Sequence, residues 1–380
     1  MSLSRSNVGG SAGSFGQLRS LDPILLLVSL ALTAFGILAV YIAGADDREA
    51  YALNQTLGFG VGLIAAVPLA LMDYRRLQRY LTPIYCAAVF MLLMVVILGA
   101  TAKGAQRWID VGPVQFQPAE FAKLLVVVVL AGYFTQHHLA DNEAFLKAVG
   151  LIGVPALLVF VQPDLGSALV FGVVFFVMAF VGGAKLYQLG LLVATGGALT
   201  MLALKLKILE EYQVARLTTF LDPASATATH EGYQVLQSKV AIGSGGITGK
   251  GLYATTLANL GFLPEDHTDF IFSNLAERMG FVGGLLLLGL FFVLVWRMLH
   301  VATIARDRFG VLLAVGVGTI FLFHVFVNVG MTMGIMPVTG IPLPFISYGR
   351  SNLVVSMISL GLLQSIALRS RKDISKTPDT

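Results

Sequence analysis

Six consecutive residues, His267-Thr268-Asp269-Phe270-Ile271-Phe272, set a carboxylate beside hydrogen-bonding neighbours at the start of a long apolar run. A carboxylate held half out of water has its pKa raised and can take a proton as a general base. The same residue could instead cap a helix, because an acidic side chain at a helix N-terminus satisfies unpaired N–H groups and the dipole. Against capping alone, three polar side chains crowd a place where one would serve. Asp269, Ser273 and Glu277 would also share a face, at spacings of four, if the helix begins early. Glu120 and Lys123 lie three apart and can pair on one helix face. Either charge alone at mid-membrane costs roughly 2.5–3.5 kcal/mol, so the pair either offsets burial or lines a cavity, and both readings stay open. Lys103 and Arg107 could hold phosphates, although Arg107-Trp108 also reads as an ordinary headgroup-level anchor. Asp164 follows a proline in Gln162-Pro163-Asp164-Leu165-Gly166, where it caps the next helix or joins the same cavity.

The elements that must position these groups are membrane spans. The chain has 380 residues, 56% hydrophobic and only 12% charged, with a mean hydropathy of +0.82, far from a soluble domain. Apolar runs approaching the ~20 residues that cross a bilayer recur along it. The predicted fold is an all-α integral membrane protein of ten transmembrane helices: 21–43, 54–72, 82–100, 118–134, 147–161, 165–181, 187–206, 277–299, 311–334 and 345–368. The fifth and sixth are short and read as a hairpin. Strands are not expected, because the runs are long and lack alternation. Residues 1–20 form a disordered cytoplasmic tail without a signal-peptide core, 21–368 one polytopic domain, and 369–380 a cytoplasmic tail.

Arg75, Arg76 and Arg79, then Arg297, Arg306 and Arg308, then Arg369, Arg371 and Lys372 fall on one side of such a bundle, with Arg5 and Arg19. That side is expected to be the cytoplasm. The net charge of +4 therefore expresses topology and gives no ground for nucleic-acid binding. Outside lie the loop from 103 to 118, the turn at Asp164, the large loop 208–275 between the seventh and eighth helices, and the Pro-rich stretch 336–351. Within the large loop, residues 232–239 are amphipathic and suit a short interfacial helix. Gly243-Ser244-Gly245-Gly246-Ile247-Thr248-Gly249-Lys250-Gly251 fails the phosphate-loop pattern at Ser244 and Gly251 and reads as a flexible loop. The Pro-rich stretch resists a regular helix, so it should line a cavity or re-enter the membrane. His324 and Asn328 read as helix–helix hydrogen-bonding groups, and the single cysteine, Cys86, as a small buried apolar residue.

Five segments appear in order: Gly104-Ala105-Gln106-Arg107-Trp108-Ile109, Phe116-Gln117-Pro118-Ala119-Glu120-Phe121-Ala122-Lys123, Gln162-Pro163-Asp164-Leu165-Gly166, Pro264-Glu265-Asp266-His267-Thr268-Asp269-Phe270-Ile271-Phe272 and Pro344-Phe345-Ile346-Ser347-Tyr348-Gly349. Together they closely resemble the shape, elongation, division and sporulation (SEDS) family of bacterial cell-wall polymerases, and its elongation branch more than its division branch. The resemblance implies a glycosyltransferase of the bacterial cytoplasmic membrane that polymerises lipid II, the undecaprenyl-pyrophosphate-linked disaccharide–pentapeptide. It places the family's essential aspartate on Asp269 and its loop tryptophan on Trp108, and matches Glu120, Lys123 and Asp164 to cavity residues. His267, Thr268, Ser347 and Tyr348, inside the matching segments, are expected at the substrate site with Lys103 and Arg107. The family also implies a class B penicillin-binding protein as partner and a divalent cation, Mg or Mn, whose ligands do not stand out; no nucleotide cofactor is expected. Relatives carry Gly-Gly-Ser after the final Tyr, where this chain has Gly349-Arg350-Ser351. A transporter or flippase for the same lipid, the division-specific paralogue of the family, or a scaffold for the partner are the alternatives.

Overall fold

The computed structural model describes residues 21–44, 47–102, 105–111, 114–207, 213–216, 220, 230–254 and 267–372. Among these, nine helices are long and apolar enough to cross a membrane, and Leu165–Val181 is a shorter apolar one. In chain order they are α1 (Pro23–Ala43), α2 (Arg48–Leu71), α3 (Leu81–Leu98), α4 (Pro118–Gln136), α5 (Asn142–Val161), α6 (Leu165–Val181) and α7 (Leu186–Lys205). Then come α8 (His230–Ser244), α9 (Ile271–Ile304), α10 (Arg308–Thr332) and α11 (Arg350–Lys372). All ten predicted spans are present, and α5 and α6 pack as the expected hairpin. Several boundaries move by five or six residues. The second span starts at Arg48 rather than 54, the fifth at Asn142 rather than 147, and the eighth runs from Ile271 to Ile304 rather than 277 to 299. The tenth starts at Arg350 rather than 345, because residues 337–349 stay irregular.

The loop between α3 and α4 departs from the expectation of no strands. It forms a small antiparallel meander, β1 (Ala100–Ala102), β2 (Ala105–Val111) and β3 (Val114–Phe116). β1 and β3, three residues each, are too short to show alternation, and the seven residues of β2 do not alternate strictly between apolar and polar.

Helices α4, α10 and α11 form the interior, while α7 has most of its surface exposed. Small residues allow the close approach that lipid-soluble helices need in place of a hydrophobic drive. A Cβ on Gly361 of α11 would stand 2.5 Å from the Ala66 carbonyl of α2, and one on Gly62 would stand 2.9 Å from the Met357 side chain. Large apolar side chains such as Ile64, Ile97, Leu157, Leu191 and Phe292 point outward, as a lipid-facing surface requires. Cys86 belongs to that surface too: it is exposed on α3, not buried as its residue type suggested.

The Gly-rich stretch 243–251 is not a flexible loop. Helix α9 breaks at Gly280, whose φ of 66° and ψ of −165° leave backbone groups on both sides without helical partners. The stretch supplies them. Phe281 and Val282 N–H groups donate to the Gly246 and Ile247 carbonyls at 2.9 and 3.1 Å. In return the Lys250 and Gly251 N–H groups donate to the Glu277 and Arg278 carbonyls at 3.1 and 3.0 Å. The approach is so close that a Cβ on Gly245 would collide with the Ala276 carbonyl. Lys250 Nζ then meets the fully buried Glu277 carboxylate at 2.6 Å.

The opposite end of the bundle is tied by charge. Asp22 caps α1 through the Leu25 N–H, meets Arg297 of α9, and exchanges two backbone hydrogen bonds with Gln364 of α11. Asp307 caps α10 through the Gly310 N–H, accepts from Tyr74, and pairs with Arg75 Nε at 2.9 Å. Burial alone would push the Asp307 carboxyl up, but the hydrogen bonds from Tyr74, Gly310 and Arg75 outweigh it and hold the group below its ordinary value.

Two stability measurements check this picture in detergent. Gly249 has φ +80° and a Cβ there would strike the Arg278 carbonyl, whereas Gly246, at φ +56°, faces open space. Gly246→Ala should cost about 1–2 kcal/mol, the left-handed penalty alone, and Gly249→Ala clearly more; equal melting temperatures for the two variants would contradict the docking. Asp307 has a depressed folded pKa, so its stabilisation is present above the ordinary carboxylate range and lost as pH falls through the folded value. The melting-temperature gap between wild type and Asp307→Asn should be full at neutral pH and shrink below about pH 4.

Candidate functional site

The turn 267–270 is fixed by its carbonyls. The Tyr348 N–H donates to the His267 carbonyl at 2.9 Å, and Ser347 Oγ donates to that of Thr268 at 2.7 Å. Asn328 Nδ2, on α10, donates to that of Asp269 at 3.0 Å and also to the Ile341 carbonyl at 2.8 Å. Three consecutive carbonyls are thus held by the Pro-rich segment and by α10. The cap residue of α9 is Phe270, so Asp269 lies one residue before it and not in the capping position. The helix begins before the expected 277, but not early enough to include Asp269. Ser273 instead bonds Ser238 of α8 at 2.5 Å and Glu277 takes Lys250, so these two do not extend a face from Asp269. The Asp269 side chain is part exposed and faces Gly340, where a Cβ would stand 3.5 Å from Oδ2. Gly340 has φ +72°, a turn conformation that favours glycine.

The Pro-rich segment is held from three other directions. From α2, Gln55 Nε2 donates to the Ser347 carbonyl at 3.2 Å and Gln55 Oε1 accepts from the Gly349 N–H at 3.3 Å. Asn54 Nδ2 donates to the Tyr348 hydroxyl at 3.2 Å, and Arg350 donates to Asn54 Oδ1. The His267 ring packs beside Tyr51 and Tyr348, centroids 5.1 and 5.8 Å away. From α1, Gly36 receives the carbonyl of Phe345, itself at φ +64°. From α4, the Glu120–Lys123 pair is closed at 2.8 Å, and Lys123 Nζ also lies 3.1 Å from His324 Nε2. His324 Nδ1 lies 3.2 Å from the Pro342 carbonyl. Donation to that carbonyl assigns the proton to Nδ1 and leaves Nε2 to accept from the ammonium. The pair is therefore both a buried ion pair and part of the wall of a cavity of about 20 Å³ that also includes Pro344, Asn352 and Ser356.

Arg107 and Asp164 meet at the α5–α6 turn. Arg107, on β2, donates to the Pro163 carbonyl, with Trp108 next to it on the strand paired with Ala100. Asp164 caps α6 through the Ser167 N–H at 3.1 Å. The N-terminus of α6 abuts the Pro-rich segment, since a Cβ on Gly166 would stand 2.7 Å from the Thr339 carbonyl, one residue from Gly340. The structure thus brings Asp269, His267, Thr268, Ser347 and Tyr348 into one cluster, reached by α6 and by the Glu120–Lys123–His324 chain through neighbouring residues of 336–349. Lys103 lies outside the described residues. Among the described residues there is no group of three or more His, Cys, Asp or Glu that could hold a metal ion. Sequence reading missed Tyr51, Asn54 and Gln55; the signal available was an Asn-Gln pair inside an otherwise apolar span.

The family model described as "FTSW_RODA_SPOVE: Cell cycle protein" matches residues 22–372. The chain is 39% identical to "Peptidoglycan glycosyltransferase MrdB" of Escherichia coli (strain K12), over 94% of this chain and 96% of that one. It is 34% identical to "Stage V sporulation protein E" of Bacillus subtilis (strain 168), over 92% and 98%. Among solved structures it resembles a chain from "Structural coordination of polymerization and crosslinking by a peptidoglycan synthase complex", with TM-score 0.77, 31% identity, and 93% and 99% coverage. It also resembles the Rod shape determining protein RodA of Thermus thermophilus, with TM-score 0.70, 30% identity, and 93% and 98% coverage. With a family match over nearly its whole length, this chain belongs to the FtsW, RodA and SpoVE family of cell-cycle proteins.

Proposed function

We propose that this protein is a peptidoglycan glycosyltransferase that polymerises lipid II during cell elongation and cell-shape maintenance, with Asp269 as its general base. The observation that carries the reading is the clamp on the 267–269 carbonyls, which presents a part-exposed carboxylate over Gly340. A base must be held on rigid elements within hydrogen-bond reach of the proton that it takes. In the reaction, the acceptor sugar's 4-hydroxyl oxygen attacks the donor's anomeric carbon and gives its proton to the Asp269 carboxylate. The bond from that carbon to the diphosphate oxygen breaks, and the diphosphate leaves with the electron pair. Inversion gives a β-linkage. Lys103 and Arg107 stabilise the leaving diphosphate, a role suited to fixed cations near developing negative charge. Trp108, Glu120, Lys123 and Asp164 complete the substrate site, with His267, Thr268, Ser347 and Tyr348 framing the base.

The Arg75, Arg306, Arg308 and Arg369 end of the bundle faces the cytoplasm in this reading, which turns Asp269 outward in the bacterial cytoplasmic membrane. A class B penicillin-binding protein is the partner, in line with the peptidoglycan synthase complex from which a structural relative comes.

Purified Asp269→Asn should lose at least about 100-fold of polymerisation on lipid II while its melting temperature and partner binding stay as in wild type; normal glycan formation by that variant would rule out Asp269 as the base. Asn328→Ala leaves two buried carbonyls without their donor, so kcat should fall about 10-fold or more with a smaller change in KM. An Asn328→Ala enzyme with wild-type kcat would mean that the clamp does not position the carboxylate.

A further inference from the structure

The Asp269 turn shares a wall with a second cavity. Phe270 is buried against Met331 and Val338, with Val235 and Met336 packed on that cluster. Behind it, a cavity of about 70 Å³ is lined by Val235, Met336 and Val338 together with two cations, Arg216 and Lys239. That is several times the roughly 10–15 Å³ that one water needs, so a polyatomic group fits. None of the described residues that line it is acidic.

Lys239 is the informative group. Lys123, Lys147 and Lys250 reach carboxylates at 2.8, 2.6 and 2.6 Å, whereas Lys239 meets none among the described residues. Its course is nevertheless set. A Cβ on Gly334, at φ +72°, would stand 2.5 Å from Lys239 Nζ, so the ammonium occupies the place a side chain at 334 would take. On α8, residues 232, 235, 236 and 239 share the face that lines the cavity. Phe220 and Leu236, both exposed, stand at the same cavity, and Tyr233 and Val240 are exposed beside them on α8. Lys239 is itself exposed and Arg216 part exposed, so cations and hydrocarbon stand side by side at the opening, which matches a phosphate carried on a lipid better than a free anion.

Polymerisation from lipid-linked sugars engages two diphosphate-bearing molecules in each cycle, and only one loses its diphosphate. Two polyanions held close together repel, so the retained diphosphate needs cations of its own. Resting on the glycosyltransferase reading, we propose that Arg216 and Lys239 hold the diphosphate of the acceptor lipid, on the far side of Phe270 from the base.

A photo-crosslinking experiment on the full chain in lipid nanodiscs tests this directly. p-Benzoylphenylalanine at Leu236, or at Phe220 as a second position, should capture radiolabelled geranylgeranyl diphosphate. Lys239→Ala should cut capture about 10-fold, the loss of one charge-assisted contact, and Lys239→Arg should keep most of it. In the polymerisation assay Lys239→Ala should raise the KM for lipid II about 10-fold with kcat within about twofold. The proposal is overturned by no capture at either position, by equal capture in a normally folded Lys239→Ala chain, or by displacement with equimolar phosphatidylglycerol, which would mark a general headgroup site. Inorganic diphosphate competing as well as the lipid diphosphate would overturn it too. A wild-type chain that captures the probe but makes no glycan would uphold the anion site and sink the activity instead.

Discussion

Every backbone N–H and C=O in an apolar slab must find a partner within the protein, and this requirement governs the irregular parts of the fold. Two breaks matter. At Gly280 the axis of α9 is interrupted, and the orphaned groups are taken up by four backbone hydrogen bonds with residues 246–251. Between Met333 and Arg350 the chain runs without helix, and its polar groups are met by side chains from α2 and α10. Each unpaired buried group would cost about 1–3 kcal/mol, so neither break could persist alone. The polar side chains buried in these helices are explained largely by this duty.

The position of Asp269 follows from it. The turn before α9 exposes the carbonyls that the helix cannot satisfy, and the Pro-rich segment, lacking helical bonds of its own, has donors at Tyr348 and Ser347 to give. Each irregular piece completes the other. Asn328 bonds both at once through one amide group, so the geometry of the carboxylate depends on a residue that does not touch it. The Glu120–Lys123–His324 chain acts in the same sense from α4, because its last bond ends on the Pro342 carbonyl.

Span number and order were legible because membrane thickness sets a length that hydropathy alone reveals. Asp269 was legible because polar residues crowded the edge of an apolar run. The partners were not. Nothing local marks Asn328 as the donor to residue 269, since 59 residues separate them. The stretch 243–251 misled for the same reason: five glycines suggest freedom, while Gly245 and Gly249 let backbone meet backbone at the α9 break. Cys86 misled because residue type reports apolarity, and in a membrane apolarity does not distinguish inside from lipid-facing.

The acidic side chains differ in how they are held. Asp22, Glu120 and Glu277 are buried, and each meets a cation, Arg297, Lys123 or Lys250. Removing one partner of such a pair leaves an uncompensated buried charge, so these residues should be intolerant of change whatever the protein does. Asp164 is committed to the first turn of α6. Asp269 is of another kind: its main chain is anchored, and its side chain is part exposed beside a glycine. A part-exposed carboxylate on an anchored backbone is the arrangement that the proposed proton transfer requires.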